Sequence, residues 1–252
     1  MNMGGLNLVA ESLMRWVQQQ SDDRRADYEV ARNYYNGQHD VALTDRLKKF
    51  LPPRLQFRDN FMNVVVDTLA ERLNVIGFAI EDEDVSEWVW DLWRANRMDY
   101  TQGVIHSETI MLGDSYLLCD WDELHERPRW THQLAEMVIP HYDETRREID
   151  WVSKKWLQHP HLGDEPETRL NLYYPQYQDE NDGGWPVPWL DRRGQPLGVP
   201  FIHFRNRPMG SDFGQSEIIN VIPMQDLLNK TLIDLTMVLD TLAFPQRYTV
   251  NI

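Results

Sequence analysis

Three groups of residues have the types and spacing to do chemistry. Gly113-Asp114-Ser115 begins like the nucleophile block of a serine hydrolase, and Asp122-Glu-Leu-His125 follows with a carboxylate and an imidazole. Acyl transfer needs a hydroxyl beside an imidazole that a carboxylate orients, so the residue types are present. Their placement argues the other way: a helix precedes the serine, both motifs crowd into one short stretch, and three-residue matches arise freely by chance. The plainer reading is that Gly113 ends a helix and Ser115 starts a strand. The second group is His159-Pro-His161 with Asp164 and Glu165 nearby, together with His125, His132 and His141. Imidazole and carboxylate suit a metal, but a two-residue His spacing across Pro matches no common zinc pattern and reads as a polar loop. The third is the acidic run Glu81, Asp82, Glu83 and Asp84, which more simply complements the positive end of a following helix than performs acid-base work.

Other chemistries lack their residues. There is no Gly-rich phosphate loop of the Walker type. The single cysteine, Cys119, lies among Leu117, Leu118 and Trp121, and reads as inert strand core rather than nucleophile. One cysteine makes neither an intrachain disulfide nor a thiolate metal cage. No catalytic residue, cofactor or metal is therefore expected. With 25 Lys and Arg against 40 Asp and Glu the formal net charge is -15. Tight nucleic-acid binding uses basic residues to displace counterions from phosphates, so this chain should repel DNA on average. No stretch approaches the roughly 20 apolar residues of a membrane span, and the first residues lack a signal peptide's pattern, which points to an intracellular site of synthesis.

The elements that would position these residues divide the chain in three, and the fold class is α+β. The N-terminal part is helical: Leu13, Trp16 and Val17, then Tyr28, Val30, Ala31, Tyr34 and Tyr35, recur at helical spacing on either side of the polar stretch QQQSDDRR, giving two helices, the second stopped by Asn36-Gly37. Residues 41–58 are connection with a helical turn at 44–50. A helix capped by Asn60 should run through Phe61, Val64, Val65, Thr68, Leu69 and Leu73, followed by a short strand at Gly77 to Ile80. Asp84 with Glu87, and Asp99 with Gln102, read as capping boxes of two more helices. The first should bury Val85, Trp88, Val89, Leu92 and Trp93; the second runs through Val104, Ile105, Glu108, Met111 and Leu112 to Gly113. From Asp114 the short aromatic and β-branched runs DSYLLCDW, EMVIPHYD, IDWVSKKWL, RLNLYYP and PFIHFR read as a mainly antiparallel sheet, with a long exposed loop at 181–198.

The strongest helix comes last. Pro223 suits a first turn, and helix continues through about Leu242 before Pro245 ends it, with a strand beginning at 246–252. Its apolar positions Met224, Leu228, Thr231, Leu235, Val238 and Leu242 alternate spacings of four and three, a seam suited to another long helix. Leu227, Leu232, Ile233 and Leu239 widen that face, so two sides of the helix want partners. Trp88, Trp90 and Trp93 share one short helix and cannot all face one core; Trp90 is the candidate that meets a neighbouring subunit.

Whole segments then resemble the tailed-bacteriophage portal, or head-to-tail connector, family. They are YYNGQHDV at Tyr34 to Val41, NFMNVVVDTLAERLNVIGF at Asn60 to Phe78, LGDSYLL at Leu112 to Leu118, FGQSEIINVIPMQDLLNKTLIDL at Phe213 to Leu235, and AFPQRYTV at Ala243 to Val250. They span nearly the whole chain in the family's order. The resemblance implies an N-terminal part of a portal subunit, with residues 1–205 as a wing-like α+β domain, 206–243 as a stem-region helix and 244–252 as the start of a clip. It implies a homo-oligomeric ring, usually of twelve, at the unique capsid vertex of the virion, made in the host cytoplasm. That ring would conduct DNA during packaging and ejection without reading its sequence, and would dock a large terminase, neck proteins, and capsid or scaffolding proteins. It also implies a return stem helix, a tunnel loop and a crown after residue 252. Two other readings compete: a GDSL-like serine hydrolase using Ser115, and a generic acidic α+β adaptor.

Overall fold

The computed structural model describes residues 3–39, 59–143, 145–158, 167–180 and 187–243. Helix α1 (Met3–Tyr35) is continuous through the polar stretch where the sequence suggested a break. Gln, Asp and Arg without Gly or Pro carry a helix well enough when they face solvent, so polarity there marks an exposed side and not an end. Asn36-Gly37 does stop it: Gly37 takes φ +66°, and Asn36, Gly37 and Gln38 donate back to carbonyls of the last turn.

Helix α2 (Met62–Ala70) begins where Asn60 accepts from the Met62 N–H, and it ends three residues before Leu73. Its buried stripe is Met62, Val66 and Ala70, while Phe61, Val64, Leu69 and Leu73 stay exposed. No strand forms at Gly77 to Ile80. A strand needs a partner, and this extended segment is held by side chains instead: Gln102 accepts from the Val75 N–H and Ser86 donates to the Phe78 carbonyl.

Helix α3 (Glu83–Ala95) is capped by Asp82, two residues before the expected Asp84; its carboxylate accepts from the N–H groups of Asp84 and Val85. Only Leu92 and Trp93 are buried on it, and Val85 and Trp88 are exposed. Helix α4 (Met98–Leu112) starts after Arg97 in the left-handed region, φ 55°, with no side-chain cap. Gln102 does not reach back to the Asp99 N–H; its amide is buried, bridging Asn74 and Val75 to α4. Gly113, at φ +97°, lets the chain leave α4 and enter a strand directly.

The β region is two antiparallel sheets. Strands β1 (Asp114–Asp122), β2 (Arg127–Gln133) and β8 (Phe201–Arg205) form one in the order β2-β1-β8. After a 3-10 turn at Ala135–Met137, β3 (Val138–Tyr142), β4 (Ile149–Gln158), β5 (Glu167–Tyr173), β6 (Tyr177–Glu180) and β7 (Val187–Pro188) form the other in sequence order. Strand β2, RPRWTHQ, was not legible as a strand because its alternation is between polar and basic residues, and its pairing with β1 supplies what its composition does not. Of the loop at 181–198, residues 187–188 are strand and Leu190 bridges to Pro196.

Strand β1 is covered on both faces. Tyr116 enters the main core with Tyr28 and Ala31 of α1, Met62 and Val66 of α2, and Phe201 of β8, whereas Leu117 faces a second cluster with Trp93, Met98 and Ile105. After a turn at residues 217–221 the last helix, α5 (Ile222–Ala243), carries Pro223 in its first turn as expected. No helix among the described residues is long and apolar enough to cross a membrane. The connection at 41–58, the His159-Pro-His161 loop and the segment after Pro245 lie outside the described residues.

Candidate functional site

The Gly-Asp-Ser turn is a structural joint. Gly113 sits against Gly214 so closely that a Cβ on Gly113 would lie 2.8 Å from the Gly214 carbonyl carbon. Across that contact the Asn206 N–H donates to the Gly113 carbonyl (2.8 Å) and the Glu217 N–H to the Ile110 carbonyl (3.0 Å). Asp114 is fully buried and saturated. One carboxylate oxygen accepts from Arg24 and from the Tyr28 hydroxyl (2.8 Å), the other from His203 Nε2 (2.8 Å) and the Gly214 N–H (2.7 Å). Burial pushes the Asp114 pKa up, but the His203 bond, the Arg24 charge and the Gly214 N–H outweigh it and hold the carboxyl below its ordinary value. Burial also drives the His203 pKa down, so the neutral ring donates from Nε2 while Nδ1 accepts from the Tyr142 hydroxyl (2.7 Å).

Ser115 is not placed to attack anything. Its hydroxyl is fully buried and donates to Glu108 Oε2 at 3.1 Å. His132 does approach, but its Nε2 is 3.1 Å from the Ser115 hydroxyl and 2.6 Å from the same Glu108 oxygen. A Ser-His-acid relay divides the two ring nitrogens between nucleophile and carboxylate, and here one nitrogen faces both. Arg32 completes the cluster by joining Glu108 to Glu136. The other half of the sequence motif, His125 paired with Asp122 at 2.8 Å, lies at the exposed far end of β1. Cys119 is half-buried, and burial alone raises its pKa, which disfavours the thiolate. Among the described residues no three His, Cys, Asp or Glu side chains gather as a metal site would require.

Helix α5 has two faces of unlike chemistry. One is turned to the chain's own body and carries amides: Gln225 is 3% exposed and Asn229 0%, with Ile233 buried one turn further on. Gln225 accepts from the Phe61 N–H (3.0 Å) and donates to the Asp59 carbonyl (2.6 Å); Asn229 accepts from the Asp59 N–H (3.1 Å) and its amide nitrogen lies 3.2 Å from His39 Nε2. Beside them the Tyr34 hydroxyl donates to Asp226 at 2.9 Å; burial and that carboxylate push its pKa up to about 12, so it stays a donor. The other face is apolar and open. Met224, Leu235, Val238 and Leu242 of the expected seam, with Leu227 and Leu239, are 51–70% exposed; Thr231 is exposed too, and Leu228 is half-covered. At about 100° per residue the two faces are roughly 140° apart.

Of the three tryptophans on α3, Trp93 is buried, Trp90 is half-covered by stacking on Trp93 and meeting Phe78 edge-on, and Trp88 is 56% exposed. The buried amides escaped sequence reasoning. Their only signal is that Gln225 and Asn229 stand four residues apart on one side of a helix, and Lys230, Asp234 and Asp240 make polar residues on it too common for that spacing to stand out. Four of the five resembling segments meet at these two joints: Leu112 to Leu118 against Gly214, and Tyr34 to Val41 with the start of Asn60 to Phe78 against Gln225, Asp226 and Asn229.

Comparison with known proteins places the chain in a family. The family described as Phage portal protein, SPP1 Gp6-like, matches residues 15–251. The portal protein of Mycobacterium phage D29 is 24% identical over 206 residues, covering 74% of this chain but only 40% of that protein's length. The chain thus spans less than half of that relative. Because the family match takes in almost the whole sequence, including both joints and all of α5, the chain belongs to the phage portal protein family, structural proteins and not enzymes, of the SPP1 Gp6-like kind.

Proposed function

We propose that the chain is the wing and stem-root part of a portal subunit, and that copies of the full-length protein close into a ring, of twelve subunits as the family resemblance implies, at one vertex of the capsid. Residues 1–205 serve as the wing-like body, 206–243 as the stem-region segment, and 244–252 lead toward a clip. Such a ring is a conduit for double-stranded DNA during packaging and ejection, and a docking site for a large terminase, neck proteins, and capsid or scaffolding proteins. Its place is the virion, after assembly in the host cytoplasm. The chain's role in this is mechanical and electrostatic: a net charge of -15 favours a wall along which DNA moves without being gripped.

The observation that carries the proposal is the open apolar face of α5. Its six large side chains, each 51–70% exposed, leave roughly 600 Å² uncovered, the upper end of what the largest apolar patch on a soluble monomer reaches. Covering it would contribute about 15 kcal/mol at 25 cal/mol per Å². Association itself costs about 4–15 kcal/mol in lost freedom, so the seam drives assembly only together with further contacts, for which Trp90 and the exposed Trp88 on α3 are candidates. The seam residues are Met224, Leu228, Thr231, Leu235, Val238 and Leu242. Native mass spectrometry of the full-length protein tests the reading: the unsubstituted chain should run as a ring, Leu235→Asp should reduce it to monomers with its helix content intact, and unchanged assembly of that variant refutes the seam.

A further inference from the structure

We propose that Gln225 and Asn229 are positioning residues that fix the rotation of α5 about its own axis and hold its apolar face away from the chain's body. The geometry stands by itself, and only its consequence for assembly rests on the reading above. By side-chain chemistry α5 is seated the wrong way round. It buries two amides to 3% and 0% exposure, with the half-buried Asp226 between them, and leaves Met224, Leu227, Leu235, Val238, Leu239 and Leu242 more than half exposed. Burial of apolar surface is the dominant favourable term in folding, so a helix free to roll would turn that face inward.

Directional bonds oppose the roll. The Asp59 peptide N–H and carbonyl and the Phe61 N–H stand at the entry to α2, where no helical or strand partner among the described residues reaches them, and the amides of Gln225 and Asn229 supply one group for each. Asn229 also closes on His39, whose ring stacks on Tyr34 at 4.2 Å. A rolled helix would strand both amides and all three backbone groups at once, and leaving a buried polar group unsatisfied costs more than the bond itself contributes. Polar groups at an otherwise apolar helix contact are suited to this task, because they accept one register and penalise the rest. Ile233, buried one turn beyond Asn229, adds contact but has no preference for direction.

The test reads rotation and not assembly. In a background where Cys119 and any further cysteine of the full-length protein are replaced by serine, Leu235→Cys places a thiol on the open face, and maleimide labelling is followed in full-length protein diluted to monomers. Adding Gln225→Leu and Asn229→Leu should slow labelling at least about tenfold, with helix content retained, as the face turns inward and the thiol reacts only on local opening. Labelling within about twofold of the protein with both amides overturns the proposal. Hydrogen exchange on the unsubstituted protein decides the matter should the double variant not fold. The Asp59 and Phe61 amides should exchange at least about tenfold more slowly than free peptide amides, and unprotected exchange at both overturns it. Rings that survive Leu235→Asp would sink the seam and leave these two measurements standing.

Discussion

Replacing Gly214 by alanine should separate the two backbone segments that join α5's approach to the end of α4. A Cβ on Gly214 would collide with the Gly113 carbonyl oxygen and lie 2.7 Å and 2.8 Å from the Asn206 nitrogen and oxygen. All three are main-chain atoms, so no side chain can rotate away. Those groups also carry the joint: Asn206 N–H to Gly113 carbonyl at 2.8 Å, Gln215 N–H to Asn206 carbonyl at 2.7 Å, and Gly214 N–H to the Asp114 carboxylate at 2.7 Å. Forced overpacking costs about 1–3 kcal/mol. Weakening two neutral bonds and one charged bond adds about 2–3 kcal/mol after partial relaxation. A total of about 3–6 kcal/mol lowers Tm by roughly 6–24 °C in a chain of this size. Two other glycines calibrate the effect. Gly210, at φ +84° with nothing within 4 Å, should lose only the left-handed strain of about 1–2 kcal/mol as Gly210→Ala. Gly103, inside α4 with open space around it, should gain about 0.5–1 kcal/mol as Gly103→Ala. Thermal unfolding followed by far-UV circular dichroism orders the three, and a Gly214→Ala Tm no lower than that of Gly210→Ala refutes the reasoning.

Acidification should destabilise the sheet that carries His141. Its ring stacks on Trp151 at 3.5 Å, and burial lowers its pKa from 6.5 to about 4. The unfolded chain therefore binds more protons between those values, and stability present above pH 6.5 is lost as pH falls toward 4, by up to about 3 kcal/mol before solvent screening. His203 shifts in the same direction, so His141→Phe should flatten that limb of a denaturation series without abolishing it; an unchanged slope would contradict the assignment. Ester substrates offered to the unsubstituted protein and to Ser115→Ala should turn over at the same background rate, and turnover that disappears with Ser115 would restore the hydrolase. Duplex DNA should bind this chain weakly and without sequence preference, and a nanomolar Kd by fluorescence anisotropy at physiological salt would contradict the charge argument.

Backbone punctuation was the most legible layer of the sequence. Asn36-Gly37, Gly113 and Pro223 act where a left-handed residue or a missing N–H leaves little choice, and the structure places element ends at each. Signals with several equivalent bearers misled. Four consecutive acids could cap α3 and Asp82 does, and Gln102 beside Asp99 looked like a capping box but is spent on Asn74 and Val75. Burial on α3 was misplaced because that helix has apolar residues on more than one side, and which side packs depends on partners distant in the chain. Of the α5 positions singled out by spacing, Met224, Leu235, Val238 and Leu242 are open and apolar. The polar contacts beneath them were not readable, since Gln225 and Asn229 meet backbone and side chains more than 160 residues earlier.

A cryo-electron microscopy map of the full-length particle tests the central claim most directly. The account predicts a closed ring in which Leu235, Val238 and Leu242 of each subunit pack against a neighbouring subunit, while Gln225 and Asn229 keep their bonds to residues 59–61 and His39 of their own chain. A ring in which those three leucine and valine side chains face open solvent, or lie folded onto their own subunit, would contradict it.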